Sequence, residues 1–100
     1  MDGKYTKVQA LRAIQRIIKE GGELCLSKHY KQRMLERGVS NRDILHVIQT
    51  GKIHREPEPH IKTGKLIYTI EGLTVDGDKM RLPVAIYEEE SRVVVVTVIK

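Results

Sequence analysis

The sequence predicts an α+β protein, in which two to three N-terminal helices pack on one face of a three- to four-stranded, mainly antiparallel sheet. In the first half of the chain, apolar residues such as Val8, Leu11, Ile14 and Ile18 recur at helical spacing. In the second half, short β-branched runs alternate with turn residues. The chain has 100 residues, 40% of them apolar and none of them Phe or Trp. We therefore expect a single domain over residues 1–100 with an aliphatic core.

Three helices are predicted, because polar N-cap residues and terminal glycines bracket residues 6–21, 27–38 and 40–51. Two of these helices begin with the spacing of a capping box, formed by Thr6 with Gln9 and by Ser40 with Asp43. The link between the second and third helices is very short, so we expect a tight helical hairpin or corner.

Three strands are predicted at residues 65–71, 80–87 and 92–99, and their short links favour an antiparallel meander. A further short strand is expected near Ile53. Pro83 lies inside the middle strand and lacks a main-chain donor, so a bulge or a different strand order is expected there. Valine at every position of 93–96 indicates that the last strand is interior to the sheet or covered by a helix.

Positive charge is concentrated at the front of the chain. Residues 1–55 contain 12 Lys or Arg and 5 Asp or Glu, whereas residues 56–100 contain 6 and 8. Such a balance attracts an anionic partner, of which nucleic acid is the commonest, although a solvated basic surface accounts for it equally well. The scarcity of aromatic residues excludes a platform on which several bases stack. We read no secretory signal or membrane span, so the expected location is cytoplasmic.

His29, Arg33 and Arg37 are the candidate catalytic residues. Each step of four residues advances about 40° around a helix, so the three lie on one stripe. An imidazole can transfer the protons that RNA cleavage requires, and guanidinium groups match phosphate oxygens. Alternatively, the stripe is an ordinary solvated helix face, with His29 capping the helix and the two arginines paired with Glu36 or with the sheet.

The polar side of the first helix is predicted to attract the RNA backbone non-specifically. It contains Lys7, Arg12, Arg16 and Lys19. Cys25 and His29 have a ligand-like spacing, but no second pair matches it, so neither a metal nor a cofactor is predicted. The sheet offers further polar groups that could face the stripe, at Tyr68, Arg81, Tyr87 and Thr97.

Several runs together resemble a bacterial family, domain of unknown function family 4258. They are Leu26-Ser27-Lys28-His29, Arg33-Met34, Glu36-Arg37-Gly38, Val39-Ser40, Gly51-Lys52-Ile53 and the closing valine-rich strand. The chain order is also similar to MqsR-type messenger-RNA interferases. The resemblance implies a RelE-like fold, metal-independent ribonuclease activity and a neighbouring antitoxin as partner. The resemblance implies site residues only at His29, Arg33 and Arg37, which match the family's motif.

The leading hypothesis is a toxin-like RNA-binding protein, with metal-independent endoribonuclease activity as its catalytic form. RNA would lie between the second helix and the sheet, with His29 transferring protons and the two arginines holding the scissile phosphate. The acidic run at residues 88–90 is expected at a turn away from any groove. The alternative is a non-catalytic protein-interaction module, an inactive relative of a toxin.

Overall fold

The computed structural model describes residues 5–26 and 28–100, except for the side chains of Lys28 and His29. The helices are α1 (Lys7–Lys19), α2 (Lys28–Arg37) and α3 (Asn41–Thr50). The strands are β1 (Glu23–Leu26), β2 (Lys52–Ile53), β3 (Glu58–Pro59), β4 (Leu66–Leu73), β5 (Lys79–Tyr87) and β6 (Arg92–Val95), with a 3₁₀ turn at Glu88–Glu90. The α+β class is confirmed. The predicted number of strands was too low, because the described residues form six.

The sheet is mixed, with the strand order β1-β6-β5-β4-β2, and β3 pairs with β4 alongside β2. The predicted meander is confirmed, because β4, β5 and β6 are antiparallel neighbours. β1 runs parallel to β6, with Cys25 opposite Val94. β6 is therefore interior to the sheet, as its valines predicted. The sequence missed β1 because four residues between a glycine pair and a helix are too few for a period-two pattern.

A β-bulge lies opposite Pro83. The sequence predicted either a bulge or a different strand order at this position. Val84 pairs with Val95 and Arg81 with Ile99, so three steps along β5 match four steps along the C-terminal segment. The Pro83 carbonyl accepts a hydrogen bond of 2.8 Å from the Val96 N–H, while its ring nitrogen has no hydrogen to donate. The extra residue of the bulge interrupts the regular ladder of hydrogen bonds here, so the ladder does not require a donor at Pro83. It also ends β6 at Val95, earlier than the predicted residue 99.

The core lies between one face of the sheet and the helices. Alternate residues of β5, namely Met80, Leu82, Val84 and Ile86, are buried on this face. They belong to the same apolar cluster as α1, α3 and Met34 of α2. The residues of the opposite face are mostly half-buried, except for the buried Ala85, and the described helices pack on the core face. We call this opposite face the uncovered face.

Both predicted capping boxes are confirmed, at Thr6 with Gln9 and at Ser40 with Asp43. The predicted N-cap of α2, Ser27, lies outside the described residues. α2 ends in a Schellman motif, in which Val39 N–H donates to the Met34 carbonyl at 2.8 Å and Gly38 N–H to the Leu35 carbonyl at 3.4 Å. Gly38 has φ of 69°, the left-handed conformation that this motif requires.

We expect Gly38→Ala to lower the free energy of unfolding by about 1 kcal/mol, because an L-residue at this φ is strained. An added Cβ would meet no atom within 4 Å, so the backbone alone sets the effect. Urea unfolding followed by circular dichroism measures it. Gln32→Ala, at an exposed position of the same helix, is the control and should change stability by less than about 0.5 kcal/mol. Equal stability of Gly38→Ala and the wild type would contradict this assignment of the motif.

Candidate nucleic-acid interface

α2 is attached to the protein by a narrow apolar contact. Met34 is buried and Tyr30 is half-buried. The other described side chains of the helix are exposed, at Lys31, Gln32, Arg33, Leu35, Glu36 and Arg37. A helix with so small a buried side displays most of its circumference, and therefore most of its charge, to solvent.

Arg33 and Arg37 are one helical turn apart and lie on the same flank of α2, as predicted. Leu35 and Lys31 lie on the other flank, and these two line the cavity between α2 and β1. Neither arginine lines that cavity, and both side chains are exposed. The arginine flank of α2 is therefore open to solvent.

His29 belongs to the first turn of α2, and its Cα lies one turn before Arg33. Its side chain lies outside the described residues. The role predicted for its imidazole therefore stays a prediction.

The four basic residues predicted on the first helix differ in their ion pairing and exposure. Lys7 is half-buried, and its Nζ lies 3.0 Å from Oε2 of Glu56. Arg16 Nη2 lies 3.1 Å from Oε2 of Glu88. Arg12 and Lys19 are exposed. Ion pairing therefore reduces the attraction that Lys7 and Arg16 exert on an RNA backbone.

Glu88 also accepts a hydrogen bond from the Tyr5 phenol, so Glu88 links Tyr5 and Arg16 into one network of three residues. The acidic run does lie at a turn, but Glu88 contacts α1. Burial, reinforced by the hydrogen bond to Glu88, raises the pKa of Tyr5 to about 12. The same hydrogen bond, together with Arg16, lowers the pKa of Glu88. Sequence reasoning missed this network because local spacing contains no signal for it.

One tyrosine is therefore expected to ionise near pH 12. A raised pKa in the folded state stabilises the fold fully below the ordinary value of about 10, and this contribution is lost as the pH rises through 12. An ultraviolet absorbance titration measures the ionisation of the tyrosines, and Tyr5→Phe should abolish the ionisation step near pH 12. Glu88→Gln should move the step toward lower pH. A titration unchanged in Tyr5→Phe would show that Tyr5 is not the group responsible.

The ion pairs leave several cations without an acidic partner. Among the described residues, five pairs form: Lys7–Glu56, Arg16–Glu88, Arg55–Glu71, Arg92–Glu90 and Lys100–Asp78. None of them includes the described cations of α2 and α3, which are Lys31, Arg33, Arg37 and Arg42, and all four are exposed. We call residues 28–50 the α2–α3 segment. Other exposed cations outside this segment are also absent from the five pairs, among them Arg12, Lys19, Lys62 and Lys79.

The polar residues of the sheet do not converge on α2. Tyr68 is buried on the helix side, where its hydroxyl accepts the Tyr5 N–H at 2.9 Å. Arg81 and Tyr87 share the uncovered face, as strand parity predicted. The Tyr87 ring lies 4.3 Å from Lys65 Nζ and 5.2 Å from Arg92 Cζ. Thr97 is half-buried just after β6.

Cys25 is half-buried in β1 and is a free thiol. Among the residues whose side chains are described, no three His, Cys, Asp or Glu side chains form a potential metal site. None of the described helices is both long and apolar enough to cross a lipid bilayer.

The fold and this surface define a small α+β protein whose α2–α3 segment presents unpaired cations beside a mixed sheet. Residues 26–100 match the family model described as Domain of unknown function (DUF4258), and the chain belongs to that family. The matched region begins in the last residue of β1 and includes the whole α2–α3 segment. No curated protein and no solved structure matches the chain.

Proposed function

We propose that this chain is a toxin-like RNA-binding protein of the cytoplasm, with a RelE-like fold and an antitoxin as its partner, and that it holds RNA on the α2–α3 segment. The observation that carries the proposal is the set of exposed, unpaired cations among the described side chains of that segment. Residues 27–42 contain five Lys or Arg and one Glu. Cations without acidic partners are free to replace the counterions of a phosphate backbone.

The arginine flank of α2 supplies the phosphate contacts. Two guanidinium groups one turn apart can each donate paired hydrogen bonds to a phosphate, and both already lie in water. Arg12 and Lys19 on α1 add long-range attraction. We therefore propose the outward flank of the α2–α3 segment as the RNA site, in place of the space between helix and sheet.

Metal-independent cleavage is the activity we propose for this surface. The 2′-hydroxyl attacks the adjacent phosphorus, the bond to the 5′-oxygen breaks, and a 2′,3′-cyclic phosphate forms. His29 accepts the proton of the 2′-hydroxyl, because an imidazole titrates near neutral pH. Arg33 and Arg37 stabilise the negative charge that develops on the phosphate oxygens. The leaving oxygen takes its proton from water or from the protonated imidazole.

The proposed activity is tested with labelled single-stranded RNA in a buffer that contains a chelator. We expect the wild type to cleave, and His29→Ala to be slower by about 100-fold or more, the usual contribution of a proton-transfer group. His54→Ala, at an exposed position after β2, is the matched control and should retain the wild-type rate. Equal rates in wild type and His29→Ala, with both proteins folded, would remove His29 from the mechanism.

The alternative, a non-catalytic interaction module, is favoured by one observation, an apolar groove beside α2. Salt separates the two hypotheses. Binding to phosphates weakens steeply as salt rises, because counterions are released on binding. An RNA affinity that barely changes with salt would favour the interaction module.

A further inference from the structure

A cationic cavity lies where β4 and β5 meet the C-terminal segment and the residues that follow β2. It has a volume of about 530 Å³, within the range of small-molecule sites. Among the described residues, its lining includes four Lys or Arg and one acidic residue, at Arg55, Lys79, Arg81, Lys100 and Glu71. We call it the Arg81 cavity. An excess of positive charge in a concave site concentrates anions there.

Arg81 offers the cavity a guanidinium group without a protein partner. The residue is half-buried, and Glu71 lies directly opposite it in the register of β4 and β5. The Glu71 carboxylate nevertheless pairs with Arg55, whose Nε lies 3.5 Å from Oε2. Among the described residues, the Arg81 side chain forms no ion pair and no hydrogen bond. Its planar fork of N–H donors, which matches the oxygens of a phosphate, is therefore available to a ligand.

The acidic residues near the cavity do not neutralise it. Glu71 offsets Arg55, and Asp78 offsets Lys100, whose Nζ lies 3.5 Å from Oδ2 of Asp78. Both pairs are partly exposed to solvent, so each is weak enough to rearrange around a ligand. Four cations thus face two carboxylates, and a ligand with at least two negative charges balances the difference.

The positive charge is confined to one end of the uncovered face. The residues that follow Arg81 on this face of β5 are Pro83 and Ala85, which carry no charge. Pro83 lines a neighbouring cavity, and that cavity is also lined by Glu56 and Glu58. A groove for single-stranded nucleic acid instead has cations along the path of the backbone and aromatic side chains on which bases stack. No tyrosine is among the described residues that line the Arg81 cavity, so the cavity favours a compact anion.

We propose that the Arg81 cavity binds a small molecule through a diphosphate group. Arg81 and Arg55, which both lie beside Glu71, each donate hydrogen bonds to one of the two phosphates. Leu73 and Ile99 line the same cavity and are 49% and 37% exposed, so they offer an apolar contact to an organic part of the ligand. None of these residues belongs to the α2–α3 segment. The proposal therefore goes beyond RNA binding and does not depend on it.

Isothermal titration calorimetry at constant ionic strength tests the proposal with inorganic pyrophosphate, inorganic phosphate and ADP. We expect pyrophosphate to bind at least about tenfold more tightly than phosphate, because two linked phosphates engage two guanidinium groups. Binding of ADP as tight as that of pyrophosphate supports a diphosphate ester as the ligand, which Leu73 and Ile99 favour. Much weaker binding of ADP supports pyrophosphate itself. Equal affinities for phosphate and pyrophosphate would overturn the proposal.

Two variants with opposite expected effects assign the ligand to this cavity. Arg81→Gln should weaken pyrophosphate binding by about tenfold or more. Glu71→Gln removes the carboxylate opposite Arg81 and should tighten binding by about threefold or more, a gain that a damaged fold does not produce. Lys62→Gln, at an exposed position outside the cavity, is the control and should leave the affinity unchanged. An unchanged affinity in Arg81→Gln, or no tightening in Glu71→Gln, would contradict the assignment.

Competition with RNA separates this site from the proposed RNA surface. Arg33→Ala combined with Arg37→Ala should bind pyrophosphate like the wild type, so a failure of RNA binding and a failure of this site are distinguishable. Loss of pyrophosphate binding in that double variant would place the anion on α2 instead. Displacement of pyrophosphate by a single-stranded RNA with a 5′-hydroxyl end would assign the Arg81 cavity to RNA and overturn the proposal of a small-molecule site.

Discussion

Replacing Asp43 by alanine is expected to lower the free energy of unfolding by about 3 kcal/mol. Asp43 is buried at the first turn of α3. Its Oδ2 accepts the Ser40 N–H at 3.0 Å, and its Oδ1 accepts the Val75 N–H at 3.1 Å. The side chain therefore both caps the helix and fixes the loop after β4. Alanine would leave two main-chain donors without these acceptors.

Urea unfolding of three variants separates this effect from a general loss of charge. Asp43→Asn should lie between wild type and Asp43→Ala, because one of its two side-chain positions becomes a donor. Asp76→Ala, at an exposed turn, should change stability by less than about 0.5 kcal/mol. If Asp43→Ala were as mild as Asp76→Ala, Asp43 would not join the two segments.

The pH dependence of stability should reflect the same contacts. The hydrogen bond from the Ser40 main chain is the main cause that lowers the pKa of Asp43, and the Val75 N–H adds to it. A lowered pKa stabilises the fold above the ordinary value of about 3.9, and this contribution is lost as the pH falls through the folded-state value. Stability should therefore fall below about pH 4, and it should fall less in Asp43→Asn.

The helices were predictable because their signals are local. Cap residues and terminal glycines lie within a few residues of the groups they satisfy, so Thr6, Ser40 and Gly38 indicated the boundaries that the structure has. The signal for the bulge at Pro83 is also local, because proline itself lacks a main-chain donor, and the sequence predicted a bulge as one of two outcomes. β1 and β3 were not, because strands of four and two residues depend on partners elsewhere in the chain.

The candidate site was predictable only in part. Helical spacing placed Arg33 and Arg37 on one flank, which the structure shows, but it contained no information on which way the helix turns that flank. Ion pairs between α1 and distant segments were equally hidden, since Arg16 and Glu88 are 72 positions apart in sequence. Charge counts along a sequence therefore overestimate how many cations remain available to a ligand.

Reversing both arginines should have the largest effect on RNA binding. We expect Arg33→Glu combined with Arg37→Glu to weaken binding by about 100-fold or more at low salt, because two phosphate contacts become two repulsions. Lys62→Glu combined with Lys79→Glu is the matched control. It changes the net charge equally at exposed positions outside the α2–α3 segment and should weaken binding far less. Similar losses in both double variants would mean that only net charge matters.

The salt dependence of RNA binding tests the central claim most directly. The dissociation constant for a single-stranded RNA is measured at several salt concentrations for wild type and for Arg33→Ala combined with Arg37→Ala. We predict that affinity falls steeply with salt in the wild type, and that the slope of log affinity against log salt is smaller by about 1.4 in the variant, as expected when two phosphate contacts are lost. The same slope and the same affinity in both proteins would contradict RNA binding through this flank of α2.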